Sequence, residues 1–132
     1  MNTGHDGSLT TVHANSSRDA LHRLETLMLL TGVNLPSHAM REQISAALDV
    51  VIHVSRLSDG HRRVVSVSEI VGMERDVVAM QDIFVFKKKG ISPEGKVLGR
   101  YEAVGIRPKF ADRLKVSGVN VPSALFREGQ VI

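Results

Sequence analysis

Hydrophobic positions along this chain follow two rhythms, and the change falls near residue 49. Before it the spacing is helical. Ala20, Leu24, Leu27 and Met28 recur at i, i+4, i+7 and i+8, one face of a helix. Ser16, with Asp19 three residues on, resembles a capping box, and Gly32 supplies a C-terminal stop. A second helix is predicted to begin near Pro36, whose missing N–H costs nothing in a first turn, and Met40, Ile44, Ala47 and Leu48 form its stripe. After residue 49 the period is two. Val50, Ile52 and Val54 alternate with Val51, His53 and Ser55; Ser58-Asp59-Gly60 signals a turn; Val65, Val67 and Val71 alternate on the return. A second turn, Gly72 to Asp76, leads to a strand over Val77 to Phe86. Strands joined by loops this short predict an antiparallel meander rather than βαβ units.

Outside this frame, Leu9 to Val12 reads as a short buried strand entering a polar turn at His13 to Ser16. Lys87 to Gly95 reads as a turn-rich loop and Lys96 to Ile106 as one more strand. Pro108 then starts a short helix carrying Phe110, Ala111 and Leu114. The expected class is α/β, with an N-terminal strand and two helices, a β-meander and a short C-terminal helix. The expected segments are 3–15, helices over about 16–47, a meander over about 49–86 and a basic stretch over 87–132.

A chain of 132 residues fits one domain and buries roughly two-thirds of its unfolded surface. With four Phe, one Tyr and no Trp, the core must rely on aliphatic residues and Met. The absence of cysteine excludes disulfides, thiolate metal sites and cysteine nucleophiles, and suits the cytosol. Apolar runs such as Leu27 to Leu30 and Ile83 to Phe86 are far shorter than the ~20 residues of a membrane span. The polar start does not read as a signal peptide. Charge is uneven. From Lys87 onward ten Lys/Arg face four acidic residues, a net of +6, whereas the first 86 residues carry a net of −3. The basic third is either a solvated face or a surface for an acidic partner, acidic lipid or nucleic acid.

The densest chemistry lies in Thr3 to Asn15, TGHDGSLTTVHAN, where His5 and His13 flank the short apolar strand. Hydrolysis of a nucleoside triphosphate needs groups that sense and stabilise the γ-phosphate as charge builds on its oxygens. A histidine N–H at a strand end, backed by a threonine hydroxyl, can do this. The alternative is that His13 and Asn15 cap the following helix with their side chains.

This stretch resembles the histidine box of the type II/IV secretion ATPases, and most closely the branch that drives tight-adherence (Flp-type) pili. The resemblance continues through SSRDAL, RLETL, MREQI, DVVIHVSRL, DGHRRV and MQDIFVF to GIRPKFADRL. It implies the C-terminal part of a RecA-like P-loop motor domain. By resemblance, His5 and His13 lie near the γ-phosphate, with Thr3, Gly4, Thr11 and Asn15 as further nucleotide-binding positions. It implies ATP and Mg²⁺ as cofactors, a hexameric ring that couples hydrolysis to export or pilus assembly, and a place at the cytoplasmic face of the inner membrane beside platform proteins. In that family the box follows the phosphate-binding loop. Its position here implies the last third of a motor, in need of an upstream half. A strand cut off from its sheet also implies an open edge and self-association.

One stretch approaches a phosphate-binding loop, G-x-x-x-x-G-K-[ST]. Gly90-Ile91-Ser92-Pro93-Glu94-Gly95-Lys96-Val97 has the glycines and the lysine. Val97, however, has no hydroxyl for Mg²⁺, Pro93 removes an amide, Glu94 puts a carboxylate among phosphates, and no helix follows. It reads as a loop, and no counterpart of the family's Mg²⁺-holding acidic segments is found. The chain alone is therefore expected not to hydrolyse ATP. No His/carboxylate spacing suits a metal. Arg56, Arg62 and Arg63 beside the Asp59-Gly60 turn are interface candidates or a solvated hairpin. Lys87 to Lys89 lacks interleaved aromatics, which weakens a nucleic-acid reading. The alternative function is a non-catalytic module that docks on motor subunits or an acidic partner.

Overall fold

The computed structural model describes residues 7–132. Its elements are α1 (Ser17–Leu30), α2 (Ser37–Ala47), β1 (Val50–Arg56), β2 (Arg62–Glu74), β3 (Val77–Ile91), β4 (Val97–Ala103), α3 (Phe110–Val116) and a 3₁₀ turn, Ser123–Phe126. The strands form one antiparallel sheet in the order β1-β2-β3-β4, each beside its neighbour in sequence. The predicted α/β class, two leading helices, meander and short C-terminal helix are all present. The chain divides into two compact units, Met1–Val51 with Ile70–Met80 and Ile52–Glu69 with Gln81–Ile132.

In the first unit, α1 packs on α2. Ser16 caps α1 by accepting a hydrogen bond from the Asp19 amide at 3.0 Å, as its sequence predicts. Gly32 follows at φ +78° with its amide on the Leu29 carbonyl, the left-handed residue that closes the helix end. Leu21, Ile44, Ile70 and Val78 form the core, with Leu24, Met28, Leu48 and Met73 against it. The face of α1 is centred slightly differently from the predicted stripe: Leu21 is buried, while Leu27 is exposed. The β2–β3 turn is Arg75-Asp76, with Arg75 at φ +54°.

The second unit has its own core, in which Ile83, Ala111 and Phe126 are buried and Phe84, Phe110 and Val121 pack against them. β3 runs to Ile91, so Lys87 to Lys89 are strand residues and not the expected loop. Pairing explains the difference: Phe86 faces Tyr101, Lys87 faces Arg100, Lys88 faces Gly99, and a register shift follows at Lys88/Gly90. Gly99 is required there. A Cβ at that position would lie 2.5 Å from the Lys87 carbonyl oxygen and closer still to Phe86 Cζ, because the ring covers the glycine. The final residues cover part of the β4 edge, through a bridge between Glu102 and Val131.

The predicted strand at Leu9 to Val12 does not form. Among the described residues no strand pairs with it; Leu9, Thr10 and Thr11 are exposed, Leu9 wholly so. β1 alternates as predicted, yet the more apolar set, Val50, Ile52 and Val54, is its exposed side, and His53 is half-buried.

Candidate functional site

Of the histidine-box positions, Thr3, Gly4 and His5 lie outside the described residues. Thr11, His13 and Asn15 are exposed, on an irregular stretch leading into α1. The helix-capping alternative for His13 and Asn15 is not what holds this end of α1. Ser16 provides the cap, and Asp19 Oδ2 accepts from the Asn15 backbone amide at 2.9 Å. Among the described residues the His13 side chain has no hydrogen-bond partner. Among the described residues, the side chains of Thr11 and His13 are therefore not tied into the local structure.

The three candidate arginines part company. Arg56 donates through Nε to the Gly60 carbonyl at 3.0 Å and so braces its own turn. Arg62 is exposed and makes no side-chain bond among the described residues. Arg63 is half-buried with its guanidinium 5.5 Å from the centre of the Phe86 ring, and its buried Nε has no partner.

The stretch Gly90 to Val97 does not fit a nucleotide. Gly90 and Ile91 end β3 and Val97 begins β4, with a tight turn between. Within it Ser92 N–H donates to the Lys96 carbonyl at 2.8 Å, Gly95 N–H to the Ser92 carbonyl at 2.9 Å, and Lys96 N–H to Ser92 Oγ at 3.1 Å. Three amides of the stretch are consumed by the turn and that of Val97 by Asp59, and Val97 is buried. Among the described residues no group of three His, Cys, Asp or Glu side chains is placed to hold a metal ion.

Three buried or saturated carboxylates escaped the sequence reading. Asp59 Oδ2 accepts from the Val97 amide at 2.8 Å and Oδ1 from the His61 amide at 3.0 Å, which holds the acid below its usual range. The bond from Val97 joins the β1–β2 turn to the start of β4. Glu69, in an apolar strand, receives Lys109 N–H at 3.0 Å and Phe110 N–H at 2.8 Å, and so caps α3. Glu102, nearly covered, lies among Lys87, Lys89 and Arg100; hydrogen bonds from Lys87 and Arg100 hold its carboxyl down to about 2. A carboxylate within an apolar alternation was the available signal for Glu69, and the Asx-turn residue type was the signal for Asp59. Glu102 had no local one.

The first unit carries a cleft of about 180 Å³ with an apolar floor of Leu21, Ile44 and Val78. Arg18 donates to the Val78 carbonyl at its edge, and Arg41 reaches Glu25 at 3.1 Å and the Asp76 carbonyl at 3.1 Å. Beside it His38 lies 2.7 Å from Asp76 and 3.1 Å from Glu42, and the bond to Asp76 raises its pKa. These bonds brace the helices and the β2–β3 turn.

Comparison with known proteins gives these features a context. The chain is 38% identical over 80 residues to a putative conjugal transfer protein of Mycobacterium tuberculosis, covering 61% of this chain and 22% of that protein. It is 41% identical over 73 residues to the conjugal transfer protein TrbB of Rhizobium radiobacter, covering 55% and 20%. The chain thus spans about a fifth of the length of the curated relatives it matches. The model of the family described as "Type II/IV secretion system protein" matches residues 1–106, from ahead of Thr3 to beyond the last strand of the sheet. A match over that much of the sequence settles the family: this chain belongs to the type II/IV secretion system proteins.

Proposed function

We propose that this chain is the C-terminal part of a RecA-like motor ATPase of the secretion type, and that it acts only together with a phosphate-binding loop carried elsewhere. The observation that carries this reading is the family match itself, which takes in the whole box from Thr3 to Asn15 as well as the helices and sheet behind it. Two further facts support it. His13 and Thr11 are exposed and unused by the fold, as groups awaiting another surface would be. Gly90 to Val97 is a closed hairpin turn, so residues 7–132 offer no substitute cradle.

In this reading His5 and His13 serve near the γ-phosphate of ATP bound with Mg²⁺, with Thr3, Gly4, Thr11 and Asn15 around them. Arg56, Arg62 and Arg63 stand at an inter-subunit edge of a hexameric ring. The relatives are named for conjugal transfer; the machine proposed here exports protein or builds a pilus from the cytoplasmic face of the inner membrane, against platform proteins. Among the described residues no helix is long and apolar enough to cross a membrane.

The test is Mg-ATP hydrolysis by residues 1–132 alone and after mixing with a homologous fragment that carries the phosphate-binding loop. The expected result is no turnover alone, turnover in the mixture, and its loss on His13→Ala. Turnover by the isolated chain that His13→Ala abolishes would overturn the claim of dependence. A silent mixture of two folded fragments would overturn the motor reading.

A further inference from the structure

On one face of the β3–β4 hairpin three cations converge on one carboxylate. The register pairs Lys87 with Arg100 and Val85 with Glu102, so these four side chains share a face; Lys88, opposite Gly99, stands on the other. Lys87 Nζ lies 2.9 Å and Lys89 Nζ 3.8 Å from the Glu102 oxygens, and Arg100 Nε hydrogen-bonds the carboxylate as well. Glu102 is 4% exposed, whereas Lys87, Lys89 and Arg100 are 56%, 52% and 50% exposed. Three positive charges on one negative leave a local excess of two, and among the described residues no other acid pairs with them.

Two properties make this more than a basic surface. The buried acid already restrains three long side chains, so they lose little further freedom when an anion arrives. Lys89 falls at the register shift between Lys88 and Gly90, and its ammonium still reaches the carboxylate that Lys87 and Arg100 share, so the three cations stand together on one exposed face. We propose that this face is a docking surface for an acidic segment of a partner protein, whose Asp or Glu carboxylates seat between Lys87, Lys89 and Arg100. The inference is independent of the nucleotide reading and stands if that reading fails.

The test is fluorescence anisotropy of a labelled peptide of alternating Glu and Ser against residues 1–132, with inorganic phosphate and anionic phospholipid vesicles as competitors. Binding is expected to weaken steeply as salt shortens the screening length to about 8 Å at physiological strength. Lys89→Glu is expected to weaken it about tenfold, and Lys88→Glu, on the opposite face, less than about twofold. Lys89 is the looser partner of Glu102, so its replacement should leave the melting temperature unchanged; Arg100→Gln provides a second reading on the same face. Equal losses for Lys88→Glu and Lys89→Glu would reduce the effect to net charge and overturn the proposal. So would absence of binding, displacement by phosphate at matched charge, or capture by vesicles alone.

Discussion

Residues 7–15 and the β3–β4 hairpin use polar groups in opposite ways. Ahead of α1, Thr11 and His13 stand in solvent, and only Ser16 and the Asn15 amide are tied into the helix end. Around the hairpin, Glu69, Glu102 and Asp59 are each saturated, two of them buried, and each holds together segments distant in sequence. The second kind of residue is explained by the fold that contains it. The first kind is not: among the described residues Thr11 and His13 hold no other segment in place, although the family match takes in both regions alike.

That contrast can be broken most readily at the hairpin's own core. Ile83→Ala removes a side chain with no exposure and should cost about 3 kcal/mol, read as a shift in the denaturation midpoint at constant slope. Gly99→Ala sets a methyl against Phe86 and the Lys87 carbonyl and should cost about 2 kcal/mol, with Phe86→Leu partly restoring stability. At the other end of the scale, Ser16→Ala should cost about 1 kcal/mol through the lost cap. His13→Ala should change stability by less than about 0.5 kcal/mol. A large thermal loss for His13→Ala would show that the box is structural after all.

Two titrations sharpen the same contrast. Glu102 has its folded pKa lowered to about 2 from 4.5, so its contribution is complete above pH 4.5 and lost as pH falls toward 2. Glu102→Gln should flatten that acid limb. His38 has the opposite sign. Its folded pKa is raised above 6.5 by Asp76, so its contribution is complete below pH 6.5 and lost as pH climbs through the raised value. His38→Gln should make stability less dependent on pH in that range, a small effect on an exposed group.

What could be read in advance follows a physical line. The ends of α1, the start of α2 and the Asp59-Gly60 turn are set by neighbours within four residues, and all three are where the sequence places them. The Lys87 to Lys89 run reads as a loop in sequence because three lysines beside Gly, Pro and Ser mimic turn chemistry. Only Arg100, Glu102 and the shape of Gly99 under Phe86 make it a strand, and those partners are more than ten residues away. Leu9 to Val12 failed in the reverse sense, having strand character with no partner among the described residues. Phe126 was missed for a similar reason: its burial depends on Ile83 and Ala111, and nothing in its own neighbourhood marks it.

The bond from Val97 to Asp59 spans 38 residues. It cannot form until the first turn and the last strand have both been placed, with all of β2 and β3 in between. Contacts of such long sequence separation close late and slow the folding reaction. The Val97 amide is therefore a built-in clock. In pulsed hydrogen exchange it should gain protection after the amides of α1, and Asp59→Asn should quicken its exchange without disturbing theirs.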